Sequence, residues 1–225
     1  MLNDTVNSQV IGTLKIYDKE SGAELVKKRN AIHPGNMAYV IASALAGKAT
    51  GVNDGGDSPH INWMAFGNGG SSSTTTLSYR SPRVFGYYDE LPISSSVSNL
   101  YEKQYQQQTI NTVYFPGQDM GDGSTVPENT AKINFSVEVS HEDYEMVLQN
   151  TRSSSLSIPE SDSDENAEDV KYFTFDEIGL MSGVTNNGDM LEDKTLMLTH
   201  VTFHPVLLSA NRTIVVDYTI TIQIS

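Results

Sequence analysis

Residues 213–225 read TIVVDYTITIQIS. Ile214, Val216, Tyr218, Ile220, Ile222 and Ile224 fall on one side of an extended chain, and Val215, Asp217, Thr219, Thr221 and Gln223 on the other. A strict period of two with one apolar and one largely polar face is the pattern of a long half-buried antiparallel strand. Residues 131–140, AKINFSVEVS, repeat the design with Ile133, Phe135, Val137 and Val139. Two further runs, KYFTFDEIGLM at 171–181 and TLMLTHVTFHPV at 195–206, complete a β-rich second half. No strand–helix alternation follows, which argues against a parallel α/β sheet.

Toward the amino terminus, GTLKIYDKESGAELVKKRN (12–30) reads as a hairpin: Leu14 and Ile16 alternate with Lys15 and Tyr17, and Ser21-Gly22 supplies the turn. It leads into the clearest helix, HPGNMAYVIASALAGK (33–48), with Pro34 at a first helical position and His33 placed to cap it. Met37, Val40, Ile41, Ala44 and Leu45 share a face at helical spacing, and Gly47 offers the stop. After a loop at 48–60, INWMAFGNGG (61–70) sets Ile61, Trp63 and Ala65 against Met64 and Phe66, as in a strand covered on both faces. The expected fold is mainly β: one domain spanning 1–225, an antiparallel, jelly-roll-like β-sandwich with one short amphipathic helix near 34–46. An extended arm or loop is expected over about 71–115, and a mobile acidic loop over about 153–169.

A chain of 225 residues can bury a core of its own, and with no cysteine it has neither disulfides nor thiolate metal sites. Twenty-eight acidic against 14 basic side chains give a formal charge of -14, which repels phosphate backbones. The basic cluster Lys27, Lys28 and Arg29 reads as a solvated strand end. The opening MLNDTVNSQVIG has no basic n-region and no apolar run, and no stretch approaches a membrane span. The expectation is a soluble chain without a secretion signal.

Four constellations are candidates for chemistry. The bend Gly67, Gly69, Gly70 could cradle a phosphate, but no lysine follows before Arg80 and nothing helical follows at all, so a tight turn is the better reading. In the acidic loop, Asp162, Asp164 and Asn166 match the opening of a calcium loop, yet Ala167 stands where glycine is needed and Phe173 where glutamate is needed. An irregular cation site with Glu165, Glu168 or Asp169 stays open beside the simpler reading of a solvated charge run. His200 and His204 lie on a strand, where a spacing of four separates them by roughly 13 Å, too far to share an ion. Neither His60 nor His141 falls in a recognisable catalytic motif. Asp176 and Glu177 could supply half of a glycosidase pair, but neighbours on a strand point to opposite faces and could not pair with each other.

Taken in order, KKRNAIHPGNMAYVIASALAG (27–47), INWMAFGNGG, FTFDEIGLM (173–181) and LMLTHVTFHPVLLSANRTIVVDYTITIQI (196–224) resemble segments of virion structural proteins of tailed bacteriophages. They cover a little under a third of the chain. The resemblance implies a β-sandwich subunit, made in the host cytoplasm and built into the virion in many copies at neck, collar or tail. Its partners would be copies of itself and neighbouring virion proteins. No catalytic residue, cofactor, metal, membrane, small-molecule substrate or direct nucleic-acid contact is implied. The polar, tyrosine-rich stretch 86–115 suits an interface, with Tyr87, Tyr88, Tyr101, Tyr105, Tyr114 and Phe115 as anchors. The alternatives are a capsid decoration protein and a carbohydrate-binding β-sandwich using Trp63, Tyr87 and Tyr88 as a stacking platform.

Overall fold

A computed structural model describes residues 7–46, 60–72, 76–84, 100–140, 143, 173–182, 185–186, 189–190, 196–209 and 212–225. In chain order the elements are β1 (Ser8–Asp18), β2 (Glu24–Arg29), β3 (Ala31–Ile32), α1 (Pro34–Leu45), β4 (Ile61–Gly67), β5 (Ser71–Ser72), β6 (Ser78–Tyr79) and β7 (Lys103–Gln108). They continue with β8 (Ile110–Tyr114), β9 (Thr130–Val139), β10 (Phe173–Ser182), β11 (Thr185–Asn186), β12 (Asp189–Met190), β13 (Leu196–Leu208) and β14 (Ile214–Ile224). Two five-stranded antiparallel sheets carry the fold. The first runs β2-β1-β14-β9-β8 and the second β3-β13-β10-β4-β7, while β5-β6 and β11-β12 form two small ribbons. The architecture is a β-sandwich-like one.

β14 is the axis of the first sheet, paired with β1 from Ser8↔Ile224 to Asp18↔Ile214 and with β9 from Thr130↔Gln223 to Val139↔Ile214. A strand so long and apolar would be an aggregation hazard at an edge, and its central place removes that hazard. Its Ile214, Val216, Tyr218 and Ile220 are buried with Leu14, Ile16, Phe135, Val137 and Val139. The same core takes Met64, Phe66, Phe175, Ile178, Leu180, Leu198, Val201 and Phe203 from the second sheet. Edge-to-face rings, Phe66 on Phe175 at 5.4 Å and Phe175 on Phe203 at 5.8 Å, fill its middle. The other face of the first sheet carries Thr13, Lys15, Thr219 and Thr221 toward water.

The second sheet is covered on both faces. Trp63, Ala65, Met181 and Met197 form a separate apolar cluster with Leu100 on the side away from the main core. α1 packs at the rim of this sheet, capped by His33 as expected: the His33 ring accepts the Asn36 N–H at 3.2 Å. The expected buried stripe needs one correction. Asn36, Met37 and Ser43 are buried, whereas Ala44 is exposed and Leu45 is 86% exposed. The reason is the anchor: the Asn36 amide donates to the Met197 carbonyl at 2.7 Å and the His33 N–H to Leu198 at 2.8 Å, so the first turn is tied to β13 and the last turn projects beyond it.

The expected arm over 71–115 is also corrected at its far end. Lys103–Gln108 pairs with β4 in the second sheet, and Ile110–Tyr114 pairs with β9 in the first. Both are edge strands, and β7 buries only Tyr105, so the run shows almost no apolar period in sequence. Residues 85–99 of that arm and the whole acidic loop 153–169 lie outside the described residues.

Candidate functional site

The centre of the site is the bend 67–71. Backbone N–H groups turned to one side bind an anion, and here the anions are the chain's own carboxylates. Asp176 Oδ1 accepts the Gly70 N–H at 2.7 Å, and Oδ2 accepts the Ser71 N–H at 2.8 Å together with the Ser71 hydroxyl. Glu177 Oε1 accepts the Gly69 N–H at 3.2 Å and the Glu102 N–H at 2.8 Å; Oε2 accepts the Tyr101 N–H at 3.0 Å. The glycines are required by proximity. A Cβ on Gly70 would stand 2.6 Å from the Asp176 carbonyl oxygen, and one on Gly69 would stand 2.6 Å from Tyr101 Cβ. The bend is thus a turn, as its sequence suggests, and a donor array as well.

Adjacent strand residues reach the same bend because the β10–β13 ladder is irregular there. Phe175 pairs with Val206 but Glu177 pairs with Thr202, so the register slips at Asp176. A bulge of this kind re-aims a side chain. The expectation that Asp176 and Glu177 point to opposite faces is therefore overturned: both carboxylates converge on Gly69, Gly70 and Ser71.

His200, on β13, closes the knot. Its Nδ1 accepts the Arg83 N–H at 2.7 Å, which leaves the ring proton on Nε2, where it is donated to Glu177 Oε2 at 3.0 Å. Both side chains are wholly buried. Burial pushes the Glu177 carboxyl upward, but the His200 bond and the Glu102 and Tyr101 N–H groups outweigh it and hold the group below the ordinary glutamate range. Asp176 and Glu177 have a partner on every oxygen, and solvent does not reach Glu177 or His200. A carboxylate so saturated acts as structural glue and is poorly placed to attack or to take a proton from a substrate.

Outward from the knot lies a cation–aromatic face. The Arg83 guanidinium stands 4.0 Å from the Tyr101 ring centre and that of Arg80 4.9 Å, with the His200 ring 5.8 Å from Tyr101. Lys28 Nζ donates to the Thr202 carbonyl at 2.8 Å and lies 5.3 Å from the Tyr79 ring, whose hydroxyl meets His204 Nδ1 at 3.3 Å.

The residues expected at an interface have diverse fates. Tyr105 is buried in the main core, its hydroxyl donating to Asp143 at 2.7 Å, so it is no surface anchor. Tyr101 is part of the face just described, Tyr114 is half-buried, and Phe115 is 64% exposed. Tyr87 and Tyr88 lie outside the described residues, as does His141. Trp63, offered as a sugar platform, is buried and cannot stack on a ligand. Among the described residues no group of three or more acids and histidines is placed to hold a metal ion, and no described helix is long and apolar enough to cross a membrane. Sequence reasoning missed the Asp176–Glu177–His200 knot. Its signal was present: two acids inside an apolar run need buried donors, and a three-glycine bend supplies them.

Comparison with known proteins yields no match: no family model, no curated protein and no solved structure is significantly similar to the chain.

Proposed function

We propose that the chain is a non-enzymatic structural subunit of a tailed-phage virion that assembles in multiple copies at the neck, collar or tail. The observation that carries the reading is the β8 edge. This five-residue strand closes one side of the first sheet, and it exposes Ile110 (73%) and Val113 (43%), with Phe115 (64%) just beyond. An edge with open backbone groups and exposed apolar side chains is a template for another strand, and a subunit whose edge is covered on assembly can keep it. The segments resembling phage virion proteins support the class. The saturated acids at Asp176 and Glu177 support a structural role for that cluster, and the charge of -14 keeps unassembled copies apart.

Size-exclusion chromatography with light scattering tests the reading. The wild-type chain should form a multimer of defined mass, and Ile110→Lys with Phe115→Lys should lose that multimer with unchanged melting temperature. A wild-type chain that stays monomeric at high concentration, or a double variant that assembles normally, refutes the reading.

A further inference from the structure

The cation–aromatic face is built, in the sense that Arg80, Tyr101 and Arg83 are each tied through the backbone to the buried bend, Glu177 or His200. The Arg80 N–H donates to the Gly70 carbonyl at 2.8 Å, and the Arg80 carbonyl accepts the Thr202 hydroxyl at 2.9 Å. Tyr101 is fixed by its N–H on Glu177 and its hydroxyl on the Ser81 carbonyl at 2.8 Å, and Arg83 by its N–H on His200. The knot thus acts as a base plate: Asp176 and Glu177 fix the bend, and the bend and His200 fix Arg80, Tyr101 and Arg83. Lys28 extends the line across Tyr79.

This stripe is cationic on a chain with twice as many acids as bases. Lys19 and Arg212 are paired with Glu138 and Asp18, but among the described residues neither Arg80, Arg83 nor Lys28 has a carboxylate partner. Stacked guanidinium planes keep their N–H edges free and are pre-organised for two-point recognition of carboxylates. A polyanion as long as a nucleic acid would be repelled by the rest of the surface, whereas a short acidic peptide meets mainly the stripe. The chain carries such a peptide: residues 160–169, ESDSDENAED, hold six carboxylates in ten positions.

We propose that the stripe Lys28–Tyr79–Arg80–Tyr101–Arg83 docks the acidic segment 160–169 of a second copy of this chain. Each copy then offers one acceptor and one donor, a head-to-tail contact that closes into a ring or runs on as a stack. The proposal rests on the multi-copy reading above and adds a second, electrostatic contact to the β8 edge.

The probe is a labelled synthetic peptide of residues 157–170 titrated into the full chain at low ionic strength and followed by fluorescence anisotropy. Saturable binding is expected, weakened about tenfold or more by Arg80→Gln with Arg83→Gln, as for loss of two charge-assisted contacts. Arg80→Lys with Arg83→Lys should fall between, since charge remains and the planar fork is lost. A peptide with its acids replaced by amides should not bind. Ile110→Lys with Phe115→Lys should bind the peptide normally, so a failure of the β8 contact and a failure of the stripe read out separately. The proposal is overturned if the acidic peptide does not bind, as when each copy's own segment fills its stripe, or if the arginine variants bind it as tightly as wild type. Equal binding of the amide peptide overturns it as well.

Discussion

The two sheets solve the same problem in opposite ways. The first buries one face and leaves the other in water, so β14 alternates Ile214, Val216, Tyr218 and Ile220 inward with Asp217, Thr219 and Thr221 outward. The second buries both, and its outward side chains are largely apolar, as at Ala65 and Met181, or paired, as at Glu177 and His200. A sheet with a wet face tolerates polar residues singly, whereas a doubly covered sheet accepts an acid only when donors surround it. The acids of the second sheet should then be far more costly to change than those of the first.

The largest test of that contrast is Glu177→Gln. The amide keeps the shape, loses the charge and turns an N–H₂ toward N–H donors, so the expected loss is about 3 kcal/mol at neutral pH. For a chain of this size that lowers the melting temperature by on the order of 10 °C. The pH dependence separates charge from packing. Because the folded state holds the Glu177 carboxyl below its ordinary range, its contribution is complete above the unfolded value of about 4.3 and is lost as pH falls further. The gap between wild type and variant should therefore narrow below pH about 4, as measured by thermal melts across pH. A variant as stable as wild type at neutral pH would mean the knot contributes nothing and the two sheets do not differ as argued.

Gly70→Ala comes next. The new methyl would press on the Asp176 carbonyl at 2.6 Å, which is backbone and cannot swing aside, with Asp176 Oδ1 and Glu177 Cβ at 3.0 Å behind it. The expected loss is about 2 kcal/mol by chemical denaturation, typical of overpacking in a tight site. Gly35→Ala serves as the control, since its nearest neighbour is 3.7 Å away in the first turn of α1. Equal effects at the two glycines would dissolve the claim that the bend is shaped around the carboxylates.

The same contrast explains what was legible in the sequence. β14, β9 and the β1–β2 hairpin announce themselves because one wet face forces a period of two, and the sandwich-like fold follows from them. β4 also reads correctly as covered on both faces, with Trp63 and Ala65 against Met64 and Phe66, but Ile61, expected beside Trp63, joins the main core because the register with β10 shifts at that end. The site did not read, because its geometry depends on a register slip in which β13 advances four residues while β10 advances two. With regular pleating Asp176 would face the core and Glu177 the outer cluster; the slip between Phe175 and Glu177 brings both to the bend, and no residue type marks it. The end of α1 misled for a related reason, since Leu45 fits the helical period but the anchor at Asn36 decides which turn touches the sheet.

The smallest expected effect lies on the wet face of the first sheet, where Lys15 stands between Lys27 on β2 and Asp217 on β14. Like charges directly opposite one another across strands are unfavourable, and an opposite-charge pair at such a position is worth only tenths of a kcal/mol in open solvent. Lys27→Glu replaces a repulsion by an attraction while touching nothing buried, so it should stabilise the chain by about 0.3 kcal/mol at low salt. Raising the ionic strength should erase the gain, because both side chains are exposed and screening reaches them. Denaturant melts at two salt concentrations read this directly. A destabilisation on the scale of Glu177→Gln would put the outer face of the first sheet under packing constraints like those of the second. A small salt-sensitive gain would place the polar residues of this molecule in two energetic classes according to whether water reaches their sheet face.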